Sequence, residues 1–454
     1  MLSSIRTAML APMIRKAPPT FSADQVATLC EASSRGSFAH KVASRKDMPS
    51  GTLVSNGRKR IFELAEARQW VREYRKDVLR PEGAEAITIS IANFKGGTTK
   101  TTTAMTLAQG LSLMGHKVLV IDTDPQASLT TLFGILPDVE IGPQDTIMSL
   151  ADGSSTTVRP LIRSTYWDGL DLVPAASSLF DAEFMLPSRQ GKEGLSGFEF
   201  YKVLDLGIDD VRADYDVIII DSPPALSYLT INALMAANGI IMPLPPETLD
   251  FASSTQFWSL FSDLTESMLE ARGQTKSFDF INVLLSRVPP KAGRGASTTA
   301  DAVREWISAT YKEKVLPLEI PRTSIASQKS SGFGTVYDSE AGDAKDKTYK
   351  RARDAYDMFV QHIEVSIRNA WARQLSGVLS GFARCKPRLF PRKFRMQSSW
   401  WGELPMGFAP CKPHGKATPT ARLFVEFGRL CTVQTLFATR LVAPAAYAEY
   451  CATV

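Results

Sequence analysis

The chain has 454 residues, 44% of them hydrophobic and 22% charged, which suits a soluble globular protein of two or three domains and excludes a fibrous or wholly disordered one. No run of about 18 apolar residues suggests a membrane span, and the cysteines, at 30, 385, 411, 431 and 451, form no CxxC pair of the kind that marks a zinc or redox centre, so a cytoplasmic protein is expected. The formal charge of +5 is unevenly spread: residues 1–86 carry 15 Lys+Arg against 9 Asp+Glu, residues 371–454 carry 12 against 3, and the stretch between is net −10, so any nucleic-acid contact is expected of particular surfaces.

Residues 1–20 have basic residues but neither a continuous apolar segment nor a small-residue cleavage site, and read as a flexible arm rather than a secretory signal. A small module is expected over 21–80. Ser22 with Gln25 predicts a capping box, and Val26 and Leu29 then follow at helical spacing. After the turn "EASSRG", the stretch "SFAHKVAS" predicts a second helix with Phe38 and Val42 on one face and His40, Lys41 and Arg45 away from it. Asn56-Gly57 between β-prone runs predicts a hairpin with Arg58, Lys59 and Arg60 at its tip, and "ELAEARQWVREYRKD" a third helix. Helix-turn-helix, basic hairpin and helix in this order resemble a winged or MerR-like DNA-binding module. His40, Lys41, Arg45, Arg58, Lys59 and Arg60 are its candidate DNA contacts.

The linker "VLRPEGAE" precedes an alternation of apolar strands ("AITISIANF", "KVLVID", "DLVPA", "YDVIIID", "GIIMPLPP", "FDFINVLLSRV") with helical stretches. Strands this apolar need cover on both faces, so residues 87–370 are expected to form an α/β domain with a mostly parallel sheet flanked by helices.

Its first strand runs into "KGGTTKTTT". Gly96 and Gly97 allow the backbone to bend so that successive N–H groups face phosphate oxygens, and the following helix adds its N-terminal partial charge. Lys100 would reach the β and γ phosphates, and the Thr101 hydroxyl would be a magnesium ligand. The lysine at the start of the loop is the unusual element. Lys95-Gly96-Gly97-Thr98-Thr99-Lys100-Thr101 resembles the KGGxxK[ST] loop of the ParA/MinD family of deviant Walker-A ATPases. The resemblance implies an ATP and Mg²⁺ site formed by Lys95 to Thr102, with Lys95 serving the nucleotide of a partner subunit across an ATP-sandwich dimer, as an arginine finger would. Thr99 departs from the glycine common at its place.

Asp122-Thr123-Asp124-Pro125-Gln126 matches the family's DxDPQ, which implies that Asp124 orients the attacking water and helps to organise magnesium. "YDVIIIDSPP" matches its Walker B strand, which implies Asp221 as a magnesium residue. Pro245, Pro246 and Glu247 resemble the segment around the adenine. Arg322, in "IPRTS", lies where family members bind DNA without sequence preference. The domain order is similar to the large plasmid ParA/RepA type. That resemblance implies a weak Mg-dependent partition ATPase that dimerises on ATP, binds random DNA, is stimulated by a ParB-like partner, associates with the nucleoid rather than a membrane, and represses its own operator. A repressor alone, or a MinD-like positioning ATPase, are the alternatives. Residues 371–454, Pro-rich and basic without sustained period, read as a disordered extension, with readthrough or a basic DNA-binding tail as its explanations.

Overall fold

A computed structural model describes residues 16–54, 59–190, 197–270, 273–290, 298–322, 334–338 and 347–380. The first elements are β1 (Thr20–Ser22), α1 (Ala23–Leu29), α2 (Arg35–Ser44), β2 (Thr52–Val54), β3 (Lys59–Glu63) and α3 (Leu64–Tyr74). The capping box is formed: Ser22 Oγ accepts from the Gln25 N–H and Gln25 Oε1 accepts from the Ser22 N–H at 2.8 Å. β2 and β3 pair antiparallel, and β1, which the sequence pattern does not signal, adds to the other edge of β3 in the order β1-β3-β2. Phe38, Phe62 and Trp70 are buried at the centre, Phe38 meeting Trp70 edge-on at 5.4 Å.

The expected arm ends earlier than residue 20. Lys16 Nζ donates to the Leu132 carbonyl and the Tyr166 hydroxyl and pairs with Asp338 at 3.3 Å, because a buried ammonium needs such partners. Arg58 and the Asn56-Gly57 turn lie outside the described residues, as do residues 1–15 and 381–454.

The second part is built on β4 (Ile87–Ile91), β5 (Val118–Asp122), β6 (Arg163–Ser164), β7 (Leu170–Val173), β8 (Val217–Asp221), β9 (Gly239–Leu244), β10 (Phe280–Val288) and β11 (Val315–Pro321). They form one sheet in the order β11-β10-β9-β4-β8-β5-β7-β6, in which the pairs are parallel except the edge pair β6–β7. Every residue of β4, β5 and β8 is buried, the two-sided cover that their apolar runs require. β11 was not expected from the sequence: Pro317 and Glu319 interrupt its apolar pattern, and an edge strand tolerates both.

The helices that matter here are α4 (Lys100–Leu113), α5 (Ser128–Leu132), α6 (Leu179–Ser188), α7 (Tyr228–Ala236), α8 (Thr248–Glu270), α9 (Thr299–Tyr311) and α10 (Lys347–Ser380). A Cβ on Gly110 of α4 would come within 2.4 Å of Val360, so glycine lets α10 lie directly on α4. The domain boundary expected at 370 falls inside α10. Its buried stripe of Phe359, Ile363, Ile367, Ala370 and Trp371 continues at helical spacing, and Trp371 Nε1 donates to the Glu85 carbonyl at 3.0 Å. Among the described residues, no helix is long and apolar enough to cross a membrane.

Candidate functional site

Strands β4, β5 and β8 lie side by side, so their carboxyl ends bring Ile91, Asp122 and Asp221 into register, and the loop 92–99 leaves from the same edge. This is where an open parallel sheet places a ligand. Asn93 ties the loop to β9, its amide donating to the Pro243 carbonyl at 2.7 Å. The carbonyl of Lys95 accepts from Thr98 Oγ1 at 3.2 Å and from Lys100 Nζ at 3.1 Å, which closes the loop on itself. Gly97 has φ +76°, and Thr99, the residue that caps α4, has φ +72°. The departure from glycine therefore costs backbone strain, since a β-branched residue rarely enters the left-handed region.

The two lysines are differently placed. Lys100 is buried, and burial lowers its pKa against the raising influence of Asp221 and Asp124. Lys95 is about one-third exposed and its ammonium rests 2.6 Å from the carboxylate of buried Asp250, in the first turn of α8. Burial raises the Asp250 pKa, opposed by the hydrogen bond from Lys95.

The acids form a graded set. Asp122 is fully buried, accepts from Thr130 N and Oγ1 at 2.8 and 2.7 Å and from the Asp124 N–H at 3.1 Å, and is pushed by burial up to about 7. Asp124 accepts from the Gln126 N–H at 3.0 Å, and burial raises it too. Asp221 is raised well above the ordinary carboxylate range, by burial and then by the neighbouring Asp122 carboxylate, with the Thr101 hydroxyl and Lys100 opposing. Both of its oxygens are buried and neither makes a hydrogen bond of good geometry, so the Thr101 hydroxyl and Lys100 act on it only as close neighbours. Such an acid is costly unless a cation or a proton meets it. Thr101 and Thr102, half-buried on the first turn of α4, complete the ligand side of the loop. Among the described residues no three acidic, histidine or cysteine side chains converge into a preformed metal cage. The donor set suits a magnesium ion that keeps water and phosphate oxygens in its shell.

Pro245 and Pro246 are buried just beyond β9 and Glu247 is exposed beside them, on the same edge of the sheet. Of the DNA candidates, His40, Lys59 and Arg322 are exposed, and the Lys41 ammonium lies 4.0 Å from the centre of the Tyr74 ring. Arg60 donates to the Ser50 carbonyl. Arg45 is held by Asp47 at 2.6 Å and Glu73 at 3.0 Å, so its charge is already matched within the module. Asp250, Ser286 and Arg287 also belong to the site, the last two donating to the carbonyls of Thr98 and Gly97; none is signalled by the loop sequence, from which they lie more than 150 residues away.

Residues 86–271 match the family model described as an AAA domain. The chain is 32% identical to replication protein A of Rhizobium rhizogenes over 349 residues, 74% of this chain and 84% of that one. It is 30% identical to the chromosome partitioning protein ParA of Caulobacter vibrioides (strain NA1000 / CB15N) over 251 residues, 54% of this chain and 84% of that one. A solved structure of a partition protein superposes with a TM-score of 0.58 at 21% identity, covering 84% of this chain and 97% of that one, which shows the shared fold. Both relatives are matched over most of their own length. The chain belongs to the ParA-type P-loop ATPases.

Proposed function

We propose that this protein is a partition ATPase that binds ATP and Mg²⁺ at residues 95–102, closes into a dimer around the nucleotide, and in that form holds DNA without sequence preference. The buried Asp221 carboxyl beneath the phosphate loop, whose oxygens make no hydrogen bond of good geometry, carries this reading, because burial raises its pKa and a bound cation is what would let it ionise there. Thr101 and Asp221 would hold the magnesium ion with Asp124 beside them, and the ion would neutralise charge on the phosphate oxygens. Lys100, already seated against the loop, steadies the phosphates of its own subunit. Asp124, fixed by Gln126 and Asp122, orients a water and accepts its proton at a carboxylate oxygen. Lys95 leaves Asp250 to reach the partner's phosphates when the dimer closes, which makes hydrolysis by one subunit slow. A ParB-like protein raises the rate, and residues 20–80 bind the protein's own operator.

The test is size measurement by light scattering with and without Mg-ATP, for the wild type and Lys100→Ala. Dimers of the wild type that need both nucleotide and magnesium support the reading. A wild type whose mass ignores ATP overturns it.

A further inference from the structure

Beyond Leu285, where pairing with β9 ends, β10 shifts register against β11 and carries Arg287 at φ +51°, like Thr99 a non-glycine residue in the left-handed region. Such shifts re-aim side chains near functional sites. Here Ser286, fully buried, donates from Oγ to the Thr98 carbonyl at 3.2 Å, and Arg287 donates from Nη1 to the Gly97 carbonyl at 3.0 Å. Two consecutive loop carbonyls are thus held from one side. In a planar trans peptide the N–H points opposite the C=O, so these bonds turn the N–H groups of Thr98 and Thr99 away from β10.

We propose that Ser286 and Arg287 are positioning residues that brace the phosphate loop, holding two of its N–H groups toward the bound phosphate and keeping Thr99 in its strained conformation before ligand arrives. This rests on the reading of the loop as a nucleotide site. The brace explains how a threonine stands at α4's cap: carbonyl partners fixed by β10 offset the strain that glycine would avoid. It also accounts for the left-handed Arg287, whose backbone turn brings its side chain over the loop. An anion nest set in advance spares the ligand the cost of ordering the backbone, and that gain is read as affinity.

The test titrates a fluorescent ATP analogue with Mg²⁺ into full-length wild type, Ser286→Ala, Arg287→Ala, Arg287→Lys, Thr99→Gly and the double variant Arg287→Ala/Thr99→Gly. Thermal melts check that each is folded. Arg287→Ala is expected to weaken binding about tenfold, Ser286→Ala and Arg287→Lys less, with the loss falling in KM more than in kcat. Adding Thr99→Gly to Arg287→Ala should recover most of the loss, because glycine adopts the bend unaided; that non-additivity distinguishes a brace from a direct phosphate contact. Should Arg287→Ala fail to fold, Arg287→Lys and Ser286→Ala carry the same comparison. Wild type that binds nucleotide alongside folded variants that bind it equally well overturns the brace alone, as does a double variant no tighter than Arg287→Ala. Wild type that does not bind nucleotide overturns the brace and the nucleotide reading together.

Discussion

At the C-terminal end of α4, Arg68 and Arg72 of α3 and Arg75, which caps it, donate to the carbonyls of Ser112, His116, Gly115 and Met114; at its N-terminal end, Lys100 and the strained loop stand by the buried Asp221 carboxyl, whose oxygens make no hydrogen bond of good geometry. Both ends bring cations to one helix. At the C-terminal end the charge complements the helix dipole and is used up within the fold, with Arg75 and His116 both bonded to buried Glu364 at 2.7 Å. At the N-terminal end burial raises Asp124 and Asp221 and Lys100 only partly offsets it, a perturbation typical of functional sites. What separates the two ends is therefore where the partners lie: around a ligand site at the N-terminal end, where Lys95 pairs with Asp250 beside the loop, and within the packed core at the C-terminal end.

The largest effects are expected where charge is unmatched. Asp124→Ala should keep ATP binding and slow hydrolysis by roughly 10²–10⁴-fold, the usual contribution of a positioned base, and should trap the dimer. Lys100→Ala should lose nucleotide binding itself, because it acts on the bound phosphates. Nucleotide titration alongside phosphate release separates the two, and an equal loss of affinity in both variants would contradict the roles assigned.

At the matched end the expected loss is stability. Arg75→Ala leaves Glu364 buried beside His116 and should cost about 3–5 kcal/mol in urea unfolding. Burial pushes the Glu364 pKa up, but the His116 and Arg75 bonds outweigh it and hold it below the ordinary 4.5. Its contribution is thus fully present above about pH 4.5 and is lost as pH falls through the lowered value. Glu364→Gln should flatten that acid limb; a melting curve against pH that keeps the wild-type slope would show that the cluster does not couple to protons.

The two ends also differ in how much the sequence discloses. The loop, Asp124 and Asp221 are legible because their chemistry is contiguous: a glycine bend, a helix start and strand-terminal acids. The helices and hairpin of the first module are legible too, from Ser22, Asn56-Gly57 and the spacing of Phe38 and Val42. What stays hidden is pairing across distance. Arg68, Arg72 and Arg75 look like a solvated basic face until α3 is laid against α4, and Trp371 and Leu375 look like the start of an irregular tail until α10 packs along the sheet. Lys95 is visible as a lysine, but its resting partner Asp250 depends on α8 starting beside the loop.

That resting pair yields an intermediate prediction. If Lys95 must exchange Asp250 for a partner's phosphates, Asp250→Asn weakens the hold without removing the hydrogen-bonding side chain. Dimerisation at subsaturating ATP should then rise a few-fold, with the effect reduced in high salt. Unchanged dimerisation in Asp250→Asn, measured across protein concentration, would mean that this ion pair does not restrain Lys95.

The smallest effects are expected in the first module, where matched and unmatched cations stand within a few residues of one another. Arg45 is held by Asp47 and Glu73, whereas Lys59 is exposed at the end of the hairpin strand. If operator binding uses cations that the fold leaves free, Lys59→Ala should weaken it about fivefold and reduce the salt slope by about one, because one released counterion accompanies each phosphate contact. Arg45→Ala should instead leave the salt slope unchanged, since its charge is already neutralised locally. Lys41 is the discriminating case: its ammonium sits over Tyr74, and that contact is compatible with facing a phosphate. Lys41→Ala should therefore lower operator affinity, while Lys41→Arg, which can keep both the ring contact and the charge, should restore it. None of these changes touches the phosphate loop, so ATP-dependent binding to random duplex should survive in each. A salt titration on operator and random duplex, with and without ATP, measures all of this at once. An Arg45→Ala slope that falls as far as that of Lys59→Ala would show that pairing within the fold is no guide to which cations meet DNA.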